Sequence, residues 1–276
     1  MSTRIILAAA FGAAFVLWHC GHAAAAPAPD KDKPSDDDAA KAQKVVNDDL
    51  DRLKAAGFTM QQVKDEAVGR AFPKVVFFGV FFRQFPVARL TPEGLKSSNL
   101  YAVGSDGKPQ LLMESKELQA FFKANLSPAK TEDAAKDAAR AYVRLAEELH
   151  QDGFFKFALQ DDSTKIEQGN DGKTATARAV VMAGGNGELG ATLTFDDAGK
   201  LIKTVEKVKI KEGPRPICQA TKLLDADSIV RRMAERDLLI MGRPAKPYLD
   251  EQRAKAAPEL QRAIDHIWQQ IIEEDR

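Results

Sequence analysis

The chain has 276 residues, with 40 Lys and Arg balanced by 40 Asp and Glu, four His and two Cys. That length suits two small domains or one with an appendage, and the charge balance gives no reason to expect a polyanionic partner. The basic residues are interleaved with acids, where nucleic-acid binding wants a one-sided stripe.

Arg4 is the only charge before Asp30, and it precedes an apolar run over 5–18 and the alanines at 23–26. This pattern predicts a secretory leader over 1–25, cut after Ala24 or Ala25 because Pro27 disfavours cutting directly before it. The apolar run falls short of the roughly 20 residues of a bilayer-spanning helix, and no later segment reaches that length. The expected product is exported, periplasmic or extracellular, with no transmembrane segment. The alternative of a lipoprotein anchored at Cys20 departs from the usual pattern, because Leu17, Trp18 and His19 are not small. Removing the leader leaves a net charge of −1 and a single cysteine, Cys218, so no intramolecular disulfide is possible. The apolar setting Pro216-Ile217-Cys218 predicts a buried thiol, with nothing nearby to depress its pKa.

The stretch 26–38, with Pro27, Pro29, Pro34 and three consecutive aspartates, reads as a solvated linker. An N-terminal α+β unit is expected over 39–128. Asp38 is placed to cap a helix over 39–56 stopped by Gly57, and Thr59-x-x-Gln62 reads as a capping box opening a second helix that ends near Ala71. Six of the 15 phenylalanines lie between Phe72 and Phe85, and the run 75–82 predicts a strand buried on both faces. A hairpin around Ser105-Asp106-Gly107-Lys108 follows, then a helix from Ser115 with Leu118, Phe121 and Phe122 inward.

The segment 129–212 predicts one amphipathic helix over 131–151 lying across an antiparallel meander of strands at 154–159, 165–168, 174–182, 188–195 and 201–210. Ala175, Ala177 and Ala179, and then Leu189, Ala191 and Leu193, alternate with polar residues, so one face meets a core. The turns 170–172, 184–187 and 196–199 suit positive φ. Glycines at 184, 185 and 187 read as a hairpin turn, since no lysine and no following helix makes them a phosphate cradle. This order of helix and meander resembles the cystatin-like or NTF2-like group. That resemblance implies a concave sheet face able to bind or turn over a small molecule, with buried acids or His150 in the pocket.

Beyond residue 216 the chain turns helical. Asp225-x-Asp227-x-x-Val230-Arg231-x-x-Ala234-x-x-x-Leu238-x-x-Met241-Gly242, then Pro244, Pro247 and Leu249, resemble a HEAT repeat, with Ala257-Pro258-Glu259-Leu260 starting a further helix. The resemblance implies a small helical module over 217–276 that docks a protein, with Arg231 reaching an acidic neighbour. One and a half repeats are too few for a solenoid, so the module should pack on the α+β part. The fold class expected is therefore α+β with a helical C-terminal module.

For chemistry, the mature chain keeps two histidines, His150 and His266, with no Cys-x-x-Cys, no His-x-x-x-His and no serine-nucleophile motif. No catalytic, cofactor-binding or metal-ligating residues are expected, and His150 is read as complementing a helix C-terminus. The leading expectation is a non-catalytic binding or scaffolding protein acting on a protein or peptide of the envelope, without nucleic acid or cofactor. Lys246, Asp250 and Arg253, on one polar helix face, are the candidate contact residues.

Overall fold

A computed structural model describes residues 35–169, 172–213, 215 and 217–274. The fold is α+β, with two antiparallel sheets and helices between and beside them. The first sheet has order β1-β2-β3-β4, built from Phe58–Gln62, Val76–Phe82, Ser98–Val103 and Pro109–Leu112. The second has order β5-β7-β8-β9, from Lys156–Leu159, Gly172–Ala183, Gly185–Phe195 and Leu201–Glu212, and β6 (Lys165–Gly169) pairs with β7 below β5. No helix among the described residues is long and apolar enough to cross a membrane.

The phenylalanine-rich β2 is a core strand because it serves two cores. Phe78, Val80 and Phe82 point to α1 (Asp36–Arg52), which buries Ala42, Val46 and Leu50 against them. Phe77 points the other way, onto Phe72 and Phe121 in edge-on and tilted ring contacts with centroids 5.4 to 5.6 Å apart. Those rings come from α2 (Glu66–Ala71) and its end, and from α3 (Ser115–Asn125). The central layer is completed by α4 (Glu132–Leu149), whose Ala135, Ala138, Ala139, Tyr142, Val143 and Ala146 are all buried. The layers thus run α1, first sheet, α2 with α3 and α4, second sheet. A single core passes through α4 from Phe77 and Leu100 on one side to Ala175, Ala179, Leu189 and Leu193 on the other. Alanines on both α4 and β7 allow the helix to lie close on the sheet.

That packing answers the expectation of a pocket on the meander. The inward faces of β7 and β8 are occupied by α4, so the concave face is filled along those two strands.

Other expectations shift in register. Ser35, not Asp38, caps the first helix: its hydroxyl accepts from Asp38 N–H at 3.2 Å, while Asp38 returns the bond to Ser35 N–H at 3.1 Å. Asp36, Asp37 and Asp38 therefore form the first turn, where the helix dipole favours negative charge, and residues 35–38 do not belong to a linker. The leader over 1–25, Cys20 and the rest of the stretch lie outside the described residues. Thr59-x-x-Gln62 opens no helix; it is β1, because alternation in 58–62 lets Phe58 and Met60 cover the α1-side core while Thr59 and Gln61 stay exposed. The second helix starts later, at Asp65, whose carboxylate accepts from Val68 N–H at 3.0 Å. Gly172 and the turn at 196–199 are in place, and Asn170 and Asp171 lie outside the described residues; of the expected turn at 184–187 only Gly184 lies between strands, because Gly185, Asn186 and Gly187 pair with β9 as the start of β8.

The C-terminal helices are α5 (Ser228–Met241), capped by Asp227, α6 (Lys246–Lys255) and α7 (Pro258–Glu274). Ala234, Leu238, Leu249, Ile264, Ile267 and Ile271 form their own core, which Phe154 joins from the α+β part. Arg231 reaches backbone carbonyls, of Asp225 at 2.6 Å and Ala226 at 3.0 Å, so it closes the helix entry in place of the expected carboxylate pair. Cys218 is half-buried, and burial together with Asp237 pushes its thiol up from the ordinary value.

Candidate functional site

A cleft of 1110 Å³ opens where three parts of the chain meet. One wall is the first sheet, through β1 and β2. The second is the end of α4 with β5 and the residues leading into it. The third is one side of α6, with Pro247, Tyr248, Glu251 and Lys255.

On α4, Arg144, Glu147 and Glu148 follow the i, i+3, i+4 spacing that sets side chains on one face, and Gln151 follows just past the helix end. One guanidinium nitrogen of Arg144 lies 2.9 Å from both Glu147 Oε2 and Glu148 Oε1. Glu148 lies flat over β2 at Gly79. A Cβ there would stand 2.2 Å from its Oε2, so the glycine leaves room for the carboxylate. Glu147 is the unusual group. Its side chain is only 8% exposed, and burial pushes its carboxyl up to about 7; Arg144 opposes the rise, and Glu148 and Asp65 add to it. A neutral or half-ionised acid is thereby held in the cleft near neutral pH.

The turn after α4 is set by Asp152, which accepts from Phe154 N–H at 2.9 Å and Phe155 N–H at 3.1 Å. Arg215 pairs with this carboxylate at 2.8 Å through Nε and lies over both phenyl rings, 4.8 and 5.1 Å from their centroids. This buried pair pins the aromatic wall of the cleft. On the opposite wall Glu251 gathers three cations: Arg83 at 2.7 Å, Lys255 at 3.0 Å and Arg89. Burial alone would raise this carboxyl, but the bond from Lys255 and the two arginines bring it down to about 2. Arg83 also covers the Tyr248 ring at 4.9 Å. Both arginines come from the connection 83–97 between β2 and β3, far longer than a hairpin turn needs.

Both β1 and β5, which contribute residues to this cleft, are terminal strands of their sheets. The bond from Val63 N–H to Phe77 C=O fixes the phase of the β1–β2 ladder, so Phe58, Met60 and Gln62 direct backbone groups away from β2.

The contact residues expected from sequence do come together. Lys246 pairs with Asp250, Arg253 pairs with Asp265 of α7 at 2.7 Å, and Lys246 lies 5.3 Å from the Trp268 ring centroid. They border a shallow 240 Å³ depression and knit α6 to α7. His150 does more than end a helix. Its Nε2 lies 2.9 Å from Glu206 of β9, which also accepts from Tyr142 at 2.6 Å and Ser115 at 2.8 Å. Burial opposes the Glu206 charge, yet the three donors hold it below the usual carboxylate range. Ser115 bonds the acid and not the imidazole, so the trio is no nucleophile relay.

Glu147, Glu251 and the arginines of 83–97 were not singled out by sequence. The only available signal was the α4 spacing that puts 144, 147 and 148 together. Among the described residues no three His, Cys, Asp or Glu side chains converge as a metal ion requires. No known protein family, curated protein or solved structure matches this chain.

Proposed function

We propose that the chain is an exported, non-catalytic binding protein whose three-walled cleft receives an extended segment of a protein partner in the envelope. The supporting observation is that two terminal strands, β1 and β5, both line one cleft that also carries aromatic walls. An extended peptide gains backbone pairing from such an edge and side-chain selectivity from the flanking rings. The HEAT-like helices supply the third wall in this reading, and Lys246, Asp250 and Arg253 are a secondary contact face.

Removing the helical module is a poor test, since Phe154 and Phe85 are packed against its core. The better experiment uses the whole mature chain from Ala26 to capture partners from the envelope fraction. Phe81→Arg places a charge on the cleft wall, and a Lys246, Asp250, Arg253 triple alanine variant empties the α6 face. A partner lost with the first variant and kept with the second supports the cleft. The reverse moves the site to α6, and equal capture by all three proteins sinks both assignments.

A second reading, hydrolysis of a small substrate, is favoured by one observation: a buried carboxyl at about 7 beside the Glu148 carboxylate in an open cleft. Glu147→Gln would then abolish turnover of a substrate bound there while leaving its affinity intact.

A further inference from the structure

The second independent feature lies on the far side of the second sheet from α4. Strand β9 reads Leu-Ile-Lys-Thr-Val-Glu-Lys-Val-Lys-Ile-Lys-Glu, with lysines and acids mixed in sequence. Its period of two sorts them. Glu206 stands opposite the inward Ala191 and reaches Tyr142 and His150, whereas Lys203, Lys207, Lys209 and Lys211 stand opposite Thr194, Gly190, Glu188 and Asn186 on the open face. The same face carries Arg178 of β7 and Lys165 of β6. Against these six cations stand two carboxylates, Glu167 and Glu188, and Glu188 is engaged by Arg178 at 3.0 Å. Lys165 and the four β9 lysines are exposed and pair with no carboxylate among the described residues. The carboxylates of the 196–199 turn lie beyond the Lys203 end of the row.

Lysines on an edge strand guard against sheet-to-sheet pairing. The same role covers Lys165, since β6 pairs with β7 alone, and Arg178, engaged by Glu188, continues the cationic row across the sheet between the two edges. The floor between them is flat and hydroxyl-bearing, with Thr174 paired to Thr194 and Thr176 to Thr192. We propose that this face binds a linear phosphate-bearing polymer laid along β9. Lys207, Lys209 and Lys211 recur about 7 Å apart along the strand, and Lys203 stands about 14 Å before Lys207 across the outward Val205, so a chain with regularly repeated charges meets several at once. The row of lysines offers point charges of the kind that bind phosphate oxygens. Threonine hydroxyls add neutral donors to phosphate oxygens. The face has no aromatic side chain for bases to stack on, so the polymer is held by its backbone.

The test is binding of inorganic polyphosphate to the whole mature chain at rising salt, beside polyglutamate of matched charge and phosphatidylglycerol vesicles. Polyphosphate should bind more tightly than polyglutamate. Lys203, Lys207, Lys209 and Lys211 changed together to Gln should weaken it at least about tenfold, with the salt slope reduced by roughly 3 for four lost contacts. A control replaces Lys41, Lys44, Lys74 and Lys108, which removes the same charge elsewhere and should leave affinity within about twofold. All eight residues are on the surface or half-buried, and a matching thermal melt shows each variant folded. Equal loss in both quartets overturns the proposal, as does polyglutamate binding as tightly, or binding to vesicles alone.

Discussion

Replacing Glu147 by Gln should make the protein more stable at alkaline pH and change it little in acid. The carboxyl sits at about 7 in the fold, against 4.5 for the ordinary group, with its side chain 8% exposed. A folded-state value above the unfolded one means the native state holds the proton more tightly. Stability from this group is therefore complete below pH 4.5 and is lost as pH rises towards 7. Between pH 5 and pH 8 the difference amounts to roughly 2.5 kcal/mol at about 1.4 kcal/mol per pH unit. Glutamine has no proton to lose and its carbonyl still accepts from Arg144, although exchanging a charged acceptor for a neutral one gives back about 1 kcal/mol. The assay is urea unfolding of both proteins at pH 5, 6, 7 and 8, read as the difference between them so that all other titrations cancel. The variant should gain on the wild type by roughly 2 to 3 kcal/mol across that range, with most of the gain between pH 5 and 7 and a plateau above 7. A pH-independent difference would refute the burial argument and, with it, the neutral acid in the cleft.

Glu251 should behave with the opposite sign. Its carboxyl, at about 2, contributes stability that is present above pH 4.5 and lost as pH falls towards 2. Glu251→Gln, melted at pH 7 and at pH 3, should therefore show its deficit mainly at pH 7. Tyr142→Phe removes one of three donors to the Glu206 carboxylate and should cost about 1.5 to 3 kcal/mol in chemical unfolding, a bond to a buried charge being worth more than a neutral one. Gly187→Ala should lower the melting temperature far more than Gly94→Ala. Both have positive φ, but a Cβ at 187 would meet the Lys209 carbonyl oxygen at 1.9 Å, whereas at 94 nothing lies within 4 Å. Similar losses would mean that strain in φ, and not the close strand approach, governs both sites.

What the sequence by itself determined was everything that rests on local periodicity. The alternation in β7 and β8, the apolar stripe of α4, the doubly buried β2 and the three C-terminal helices are each written in neighbouring residues, so the α+β class follows without any partner element. Local signals failed where two motifs competed. Thr59-x-x-Gln62 has the letters of a helix start, but the cross-strand demand of β2 took it as an edge strand. Ser35 outcompeted Asp38 as a cap because the acids that follow complete the capping box and suit the helix dipole. Tertiary structure alone decided the rest. Glu147 acquires its character from burial, with Glu148 and Asp65 adding to it against the Arg144 guanidinium, and Glu251 from arginines more than 160 positions away. The lysines of β9 look interleaved with acids until the sheet assigns inward and outward, because charge is felt in space and not along the chain. A cleft closed by residues from 57 to 255 has no signature in any window of sequence. Its chemistry comes from desolvation and convergence, and both exist only once the chain has folded.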